Sequence, residues 1–154
     1  MRSRLGNWLA LKAAVAFVAV VGSVTVGLAG SRQFAGSYKV LQVTNQGSSV
    51  QVQLSLRIIN YSGADVTDAK VSLQSSLPAG PGLMESWVAQ QPVFQGVTLH
   101  FNEHKIVPPL EGTFTVPALE YKKWQKGVSP HFVIEFTDAS GKLQRQPIEL
   151  APQP

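Results

Sequence analysis

Apolar and polar residues alternate most regularly between residues 50 and 59. Every second residue is aliphatic and those between are mostly polar: Val50, Val52, Leu54, Leu56 and Ile58 alternate with Gln51, Gln53, Ser55 and Arg57. This period of two is that of a β-strand with one buried and one solvated face. At roughly 1.5–3 kcal/mol each, five inward aliphatic side chains contribute about 8–15 kcal/mol of gross burial. We therefore predict a half-buried antiparallel strand that ends at Asn60, before the turn residues Tyr61–Asp65.

Shorter segments of the same kind follow along the chain, separated by loops rich in Gly, Pro, Asn and Ser. With the long strand they predict seven or eight strands, at 38–44, 50–60, 66–75, 83–88, 97–102, 113–117, 132–137 and 142–150. Trp87 is the expected anchor of a short edge strand, and Phe101 is expected to face the core. Residues 119–126 fit a ragged strand or one helical turn. The pattern predicts an all-β fold, an antiparallel two-sheet immunoglobulin-like sandwich over residues 37–150 with a tail at 151–154.

The first 36 residues read as a targeting segment and a short linker. Arg2, Arg4 and Lys12 precede an uncharged apolar run of 19 residues, 13–31. Cleavage after Ala29 would make this run a secretory signal peptide. An uncleaved helix of the same length would span about 28 Å, enough for a membrane anchor with its N-terminus in the cytoplasm. In both cases the domain is exported to the periplasmic or extracellular side, and the membrane is a partner through residues 13–31 only if they are retained.

Charge and cysteine content narrow the function classes. The formal net charge of +4 arises largely from the three N-terminal cations, and the chain after residue 30 has ten basic and nine acidic side chains. A nearly neutral domain lacks the basic surface that nucleic acid requires, so we predict no nucleic-acid partner. The chain contains no cysteine, which excludes disulfides, thiol catalysis, iron–sulfur clusters and a lipoprotein anchor.

Two stretches carry a family resemblance. Residues 54–73 resemble the hairpin of bacterial immunoglobulin-like and fibronectin-III-like modules, in which an asparagine ends one strand and the next begins after a small polar turn. Residues 106–116 are similar to the entry of those modules into a later strand, where proline and glycine precede alternating Thr, Phe and Val. The resemblance implies a spacer, adhesive unit or assembly domain. The residues shared with these modules are structural, so the resemblance identifies no functional residue.

Candidate reactive groups do not combine into a site. His100 and His104 would lie about 13 Å apart on a strand, too far to share one metal ion. Asp65 with Asp68, and Asp138 with Ser140, offer two acidic or hydroxyl side chains each, whereas calcium needs six to eight oxygens. A G-x-S-x-G nucleophile motif is missing from the sequence. We predict a protein that is not an enzyme and has no cofactor, no metal and no catalytic residues.

One surface stands out as a candidate for contact with a partner. Two aromatic residues stand beside three lysines in the segment Tyr121, Lys122, Lys123, Trp124 and Lys126. Such a cluster can dock on anionic lipid, a glycan or another protein; the alternative is a strand or turn in which Trp124 belongs to the core and the lysines are solvated. The leading hypothesis is a non-catalytic exported module for protein–protein interaction or spacing in the cell envelope. The alternative is a single-pass membrane-anchored accessory subunit of a larger envelope complex.

Overall fold

The computed structural model describes residues 33–77, 81, 86–102 and 109–154. The predicted N-terminal helix, with its signal or anchor function, lies outside these residues, as does His104. Within the described ranges, no helix is both long and apolar enough to cross a membrane.

The described chain is all-β apart from one short helix, which confirms the predicted class. Its elements follow one another as β1 (Phe34–Gln46), β2 (Ser49–Asn60), β3 (Val66–Leu77), β4 (Ser86–Ala89), β5 (Phe94–Leu99), β6 (Leu110–Pro117), α1 (Ala118–Gln125), β7 (His131–Thr137) and β8 (Leu143–Pro152). Residues 119–126 fitted either a strand or a helical turn in the sequence, and they are almost entirely helix.

β2 is the central strand of one half of the sheet. It pairs antiparallel with β1 on one side and with β6 on the other. The five aliphatic side chains of its alternating pattern are all buried, which confirms the predicted inward face. Of its outward polar residues, Gln51, Gln53 and Ser55 are partly covered and Arg57 is exposed.

The strands form one mixed sheet, and this corrects the prediction that all strand pairs are antiparallel. The strand order is β4-β3-β7-β8-β1-β2-β6, with β5 also paired to β3. β8 pairs antiparallel with β7 as far as Ile148, and then runs parallel to β1 from Glu149 to Pro152. The sequence could not reveal this change of partner, because alternation reports which face of a strand is buried and not which neighbour supplies its hydrogen bonds.

The sheet curls so that its two halves face each other across one core. Phe114 on β6 and Phe132 on β7 lie four strands apart in the sheet order, yet their ring centroids are 5.7 Å apart, edge to face. Phe34 on β1 meets Phe136 on β7 in the same way at 5.4 Å. The buried apolar residues of both halves thus form a single hydrophobic cluster.

Both ends of the domain are longer than predicted. β1 begins at Phe34, inside the expected linker, and Gly36 pairs with Ile58. At the other end, the Gln153 backbone N–H donates a 2.8 Å hydrogen bond to the carbonyl of Tyr38, inside the expected tail. These additions depend on backbone hydrogen bonds, which leave no trace in a side-chain pattern.

Trp87, the expected anchor of an edge strand, and Phe101, expected to face the core, are both exposed. Trp87 is 48% exposed because β4 lies at one end of the sheet order and its indole is on the outer face. Phe101 is 45% exposed because β5 ends at Leu99, and residue 101 forms only an isolated bridge to Asn60.

Asn60, which ends β2, connects the turn that follows the strand to the end of β5. Its side chain is buried, and its amide nitrogen donates to the carbonyl oxygens of Ala64 at 2.8 Å and of Leu99 at 2.9 Å. Its amide oxygen accepts a 2.9 Å hydrogen bond from the Ser62 N–H, which fixes the turn after the strand. Residues 60–62 therefore form a turn, and the side-chain amide nitrogen of Asn60 faces the protein interior.

Candidate functional site

The candidate segment at residues 121–126 is organised by α1. The helix begins directly after Pro117, whose fixed φ suits a helix start, and continues through strong helix formers. The Ala118 N–H donates a 3.0 Å hydrogen bond to the Ser48 carbonyl, which attaches the helix to the β1–β2 turn. The helix ends where the Gly127 N–H donates to the Trp124 carbonyl, with Gly127 at a φ of +97°.

The structure divides the five candidate residues into two groups. Trp124 is 7% exposed and belongs to the core, and Tyr121 packs against the same cluster with its ring 5.9 Å from the indole. The lysines are exposed. The two aromatic residues thus hold the helix in place, and the lysines form the accessible surface.

The lysine side chains border a groove of about 500 Å³, here called the basic groove. Leu119, which is 74% exposed, and the partly buried Glu120 line it together with Lys122, Lys123 and Lys126. An exposed leucine beside three lysines is an arrangement that a partner with an apolar contact and acidic neighbours would fit.

Glu120 differs from the lysines in being held by the sheet. The Ser75 hydroxyl of β3 donates a hydrogen bond to its carboxylate. Burial raises the pKa of Glu120, although the Ser75 hydrogen bond and the charge of Lys123 act in the opposite direction. The carboxylate therefore anchors α1 to β3 and compensates part of the positive charge of the groove.

A second site, which the sequence did not predict, lies on the outer face of β3, β4, β7 and β8. It is a depression of about 490 Å³, here called the outer trough. Its main lining residues are Gln74, Trp87, His131, Val133, Arg145 and Pro147. The signal in the sequence was Trp87, but its expected role as the anchor of an edge strand gave no reason to place it beside residues of β7 and β8.

The acidic turn residues serve as caps. Asp138 accepts hydrogen bonds from the Ser140 and Lys142 backbone N–H groups and from the Gln144 amide. These bonds, with that of the Ser140 hydroxyl, lower the pKa of Asp138 to about 2. Asp65 accepts from the Phe101 N–H at 2.8 Å and contacts His100 Nδ1 at 3.1 Å. Among the described residues, no group of three or more His, Asp or Glu side chains is placed to hold a metal ion.

Comparison with known proteins gives few matches. No protein-family model matches the chain, and no curated protein matches it in sequence. Two similar solved structures are of a GH20 exo-β-N-acetylglucosaminidase from Vibrio harveyi, one an inactive mutant and one in complex with N-acetylglucosamine. They are 17% and 15% identical to this chain, with TM-scores of 0.40 and 0.38. Each match covers 78% of this chain and 18% of the enzyme, and at these TM-scores it supports no conclusion about function.

Proposed function

We propose that this protein is a non-catalytic interaction module of the cell envelope, which binds an acidic surface of another envelope protein through the basic groove. The observation that supports this most directly is the arrangement on α1. Trp124 and Tyr121 are used for packing, while Lys122, Lys123 and Lys126 stand exposed beside Leu119. A helix fixed to the sheet presents these groups without the entropy that a flexible loop would lose on binding.

The charge of the basic groove favours an anionic partner. Three lysines face one glutamate, and that glutamate is partly buried and hydrogen-bonded to Ser75. Complementary charges accelerate association and select the partner, while an apolar residue at the centre provides contact area. Leu119 provides exposed apolar surface beside the lysines for such a contact.

The test is a charge reversal with a matched control. Lys122→Glu, Lys123→Glu and Lys126→Glu are combined in one variant, and the control reverses three exposed lysines elsewhere, Lys39, Lys70 and Lys142. The full-length proteins are used as bait in detergent-solubilised membranes, and captured proteins are identified by mass spectrometry. We expect a specific acidic envelope protein with the wild type and the control, and its loss with the α1 variant.

The outcomes separate two kinds of partner. Capture of the same proteins by the wild type and the α1 variant would refute the role of the basic groove. In a second assay, the wild type is sedimented with phosphatidylglycerol or phosphatidylcholine vesicles. Binding of the wild type to phosphatidylglycerol vesicles alone, together with loss of that binding in the α1 variant, would indicate that the partner is a membrane surface and not a protein.

The proposed module has the immunoglobulin-like arrangement, with its two halves linked through β8. The facing aromatic pairs, Phe114 with Phe132 and Phe34 with Phe136, support two packed layers. Packing of this kind is the expected core of a sandwich. An experimental structure in which the halves form a closed barrel around a cavity would contradict it.

The second candidate function is an anchored accessory subunit, with residues 13–31 as a retained membrane helix. The uncharged 19-residue run and the cations before it support export in either case. Expression in a bacterial host, followed by N-terminal sequencing and carbonate extraction, distinguishes the two candidates. A mature N-terminus at Gly30 in the soluble fraction supports the cleaved form, and an intact chain in the carbonate pellet supports the anchored subunit.

A further inference from the structure

The geometry points to a binding site for a neutral sugar in the outer trough, which goes beyond the protein interaction proposed for α1. The trough combines an exposed indole with buried and ordered polar groups on a rigid sheet face. Its volume of about 490 Å³ is within the range of small-ligand sites, which is roughly 300–1,000 Å³.

Trp87 provides the aromatic surface. It is nearly half exposed, and its ring centroid lies 4.7 Å from that of His131 at an angle of 46°. The contact with His131 orients the indole, so its exposed surface is available in a defined position. The face of an indole is negatively polarised, which suits the C–H groups on one face of a sugar ring.

The floor of the trough provides hydrogen-bonding groups that are already ordered. Gln74 is 2% exposed, and its amide nitrogen donates a 2.8 Å hydrogen bond to the Ser72 hydroxyl. Its amide oxygen accepts a 3.1 Å hydrogen bond from Arg145. Because Gln74 is almost wholly covered, its role is to position Arg145, whose guanidinium is exposed and keeps further N–H groups for a ligand hydroxyl.

Arg145 is held in place from two sides. One nitrogen of its guanidinium contacts the Gln74 amide, and its Nε lies 3.5 Å from a Glu135 carboxylate oxygen. A guanidinium has five N–H donors in a fixed plane, and these contacts restrict its orientation over the trough. Val133 and Pro147 supply apolar surface beside it.

The charge of the trough favours a neutral ligand over an anion. Glu135 compensates the charge of Arg145. Burial lowers the pKa of His131, and the positive charge of Arg145 lowers it further, so the imidazole is neutral at pH 7. A neutral imidazole can both donate and accept a hydrogen bond, as a sugar hydroxyl can.

The proposal is tested by NMR titration of the full chain, in a detergent without a sugar headgroup. The probes are cellotriose and maltotriose as neutral trisaccharides, and trigalacturonate as an acidic one, each added to about 10 mM because single-site sugar binding is expected near the millimolar range. We expect saturable shifts of the Trp87 indole and Gln74 side-chain amide signals with at least one neutral trisaccharide.

Two variants make the result specific. Trp87→Ala should weaken binding at least about tenfold, because stacking on the indole supplies much of the affinity. Phe101→Ala removes an aromatic ring of similar exposure outside the trough and should leave the affinity unchanged. Dispersed backbone spectra for both variants show that they are folded.

Three results would refute a neutral-sugar site in the outer trough. The absence of saturable shifts with both neutral trisaccharides refutes the proposal, as does binding of trigalacturonate alone. Binding of unchanged affinity in folded Trp87→Ala places the sugar elsewhere and refutes the site. None of these results depends on Lys122, Lys123 or Lys126, so failure here is distinguishable from failure of the α1 interaction.

Discussion

Replacement of Asn60 tests how strongly one side chain joins the loops at the end of β2. Asn60→Ala removes two donated hydrogen bonds, to the Leu99 and Ala64 carbonyls, and one accepted from the Ser62 N–H. Asn60→Asp keeps the shape of the side chain but replaces the donating nitrogen with an oxygen that faces the two carbonyl oxygens.

The magnitude follows from the three bonds. Each contributes about 0.5–1.5 kcal/mol net, so we expect Asn60→Ala to reduce the free energy of unfolding by about 2–4 kcal/mol. For a domain of this size that is a fall in Tm of about 4 °C for each kcal/mol. Asn60→Asp should destabilise further at pH 7, because its buried carboxylate would have no cation and would face two carbonyl oxygens.

The Asn60→Asp penalty should depend on pH with a definite sign. Burial raises the pKa of the new carboxyl in the folded state above its unfolded value, which is about 3.9. The penalty is therefore smallest below about pH 4, where both states are protonated, and it grows as the pH rises toward the folded pKa.

Urea unfolding of the wild type, both variants and the exposed control Asn45→Ala, followed by circular dichroism from about pH 4 to pH 7, measures these differences. The reasoning is refuted if Asn60→Ala costs less than about 1 kcal/mol. It is also refuted if the difference between Asn60→Asp and Asn60→Ala does not change with pH.

Three further predictions concern other parts of the domain. The Asp138 carboxyl should titrate near pH 2 in an NMR experiment, and a normal pKa would exclude the capping network. Its contribution to stability should be complete above its unfolded pKa and lost as the pH falls toward 2. Gly36→Ala should destabilise the domain to urea by about 1–3 kcal/mol, because its Cβ would clash with the Arg57 carbonyl oxygen. An unchanged midpoint would contradict this register of β1 against β2. In thermal unfolding, Trp124→Ala should lower the free energy of unfolding by about 3–5 kcal/mol and Leu119→Ala by less than about 0.5 kcal/mol. Similar losses for the two variants would contradict the division of α1 into a buried and an exposed face.

The alternation of apolar and polar residues was enough to predict β2 and β7, because it identifies a buried face whichever strands lie beside them. In β2 and β7 the inward positions are occupied by large apolar residues, and those at Leu54, Phe132, Ile134 and Phe136 are buried as expected. The turn at residues 138–141 also follows the sequence, since Gly141 has a φ of +82°.

Features that depend on long-range pairing could not be predicted in this way. Gln74 and Ser72 occupy outward positions of β3 and are buried, and Gln74 contacts Arg145 and pairs with His131 on strands some 60–70 residues later. The outer trough was missed for the same reason. At α1, composition allowed both a strand and a helical turn, and the attachment of Ala118 and Trp124 to the sheet decides for the helix.

The parallel pairing of β1 with the end of β8 has a mechanical consequence. Tension applied between residue 34 and residue 152 pulls the two adjacent strands in opposite directions along their common axis. The hydrogen bonds between Ala35–Tyr38 and Glu149–Pro152 then carry the force in shear, all at once, instead of opening one after another. A domain tethered at its N-terminal end and loaded at its C-terminal end would thus resist extension at its first and last strands.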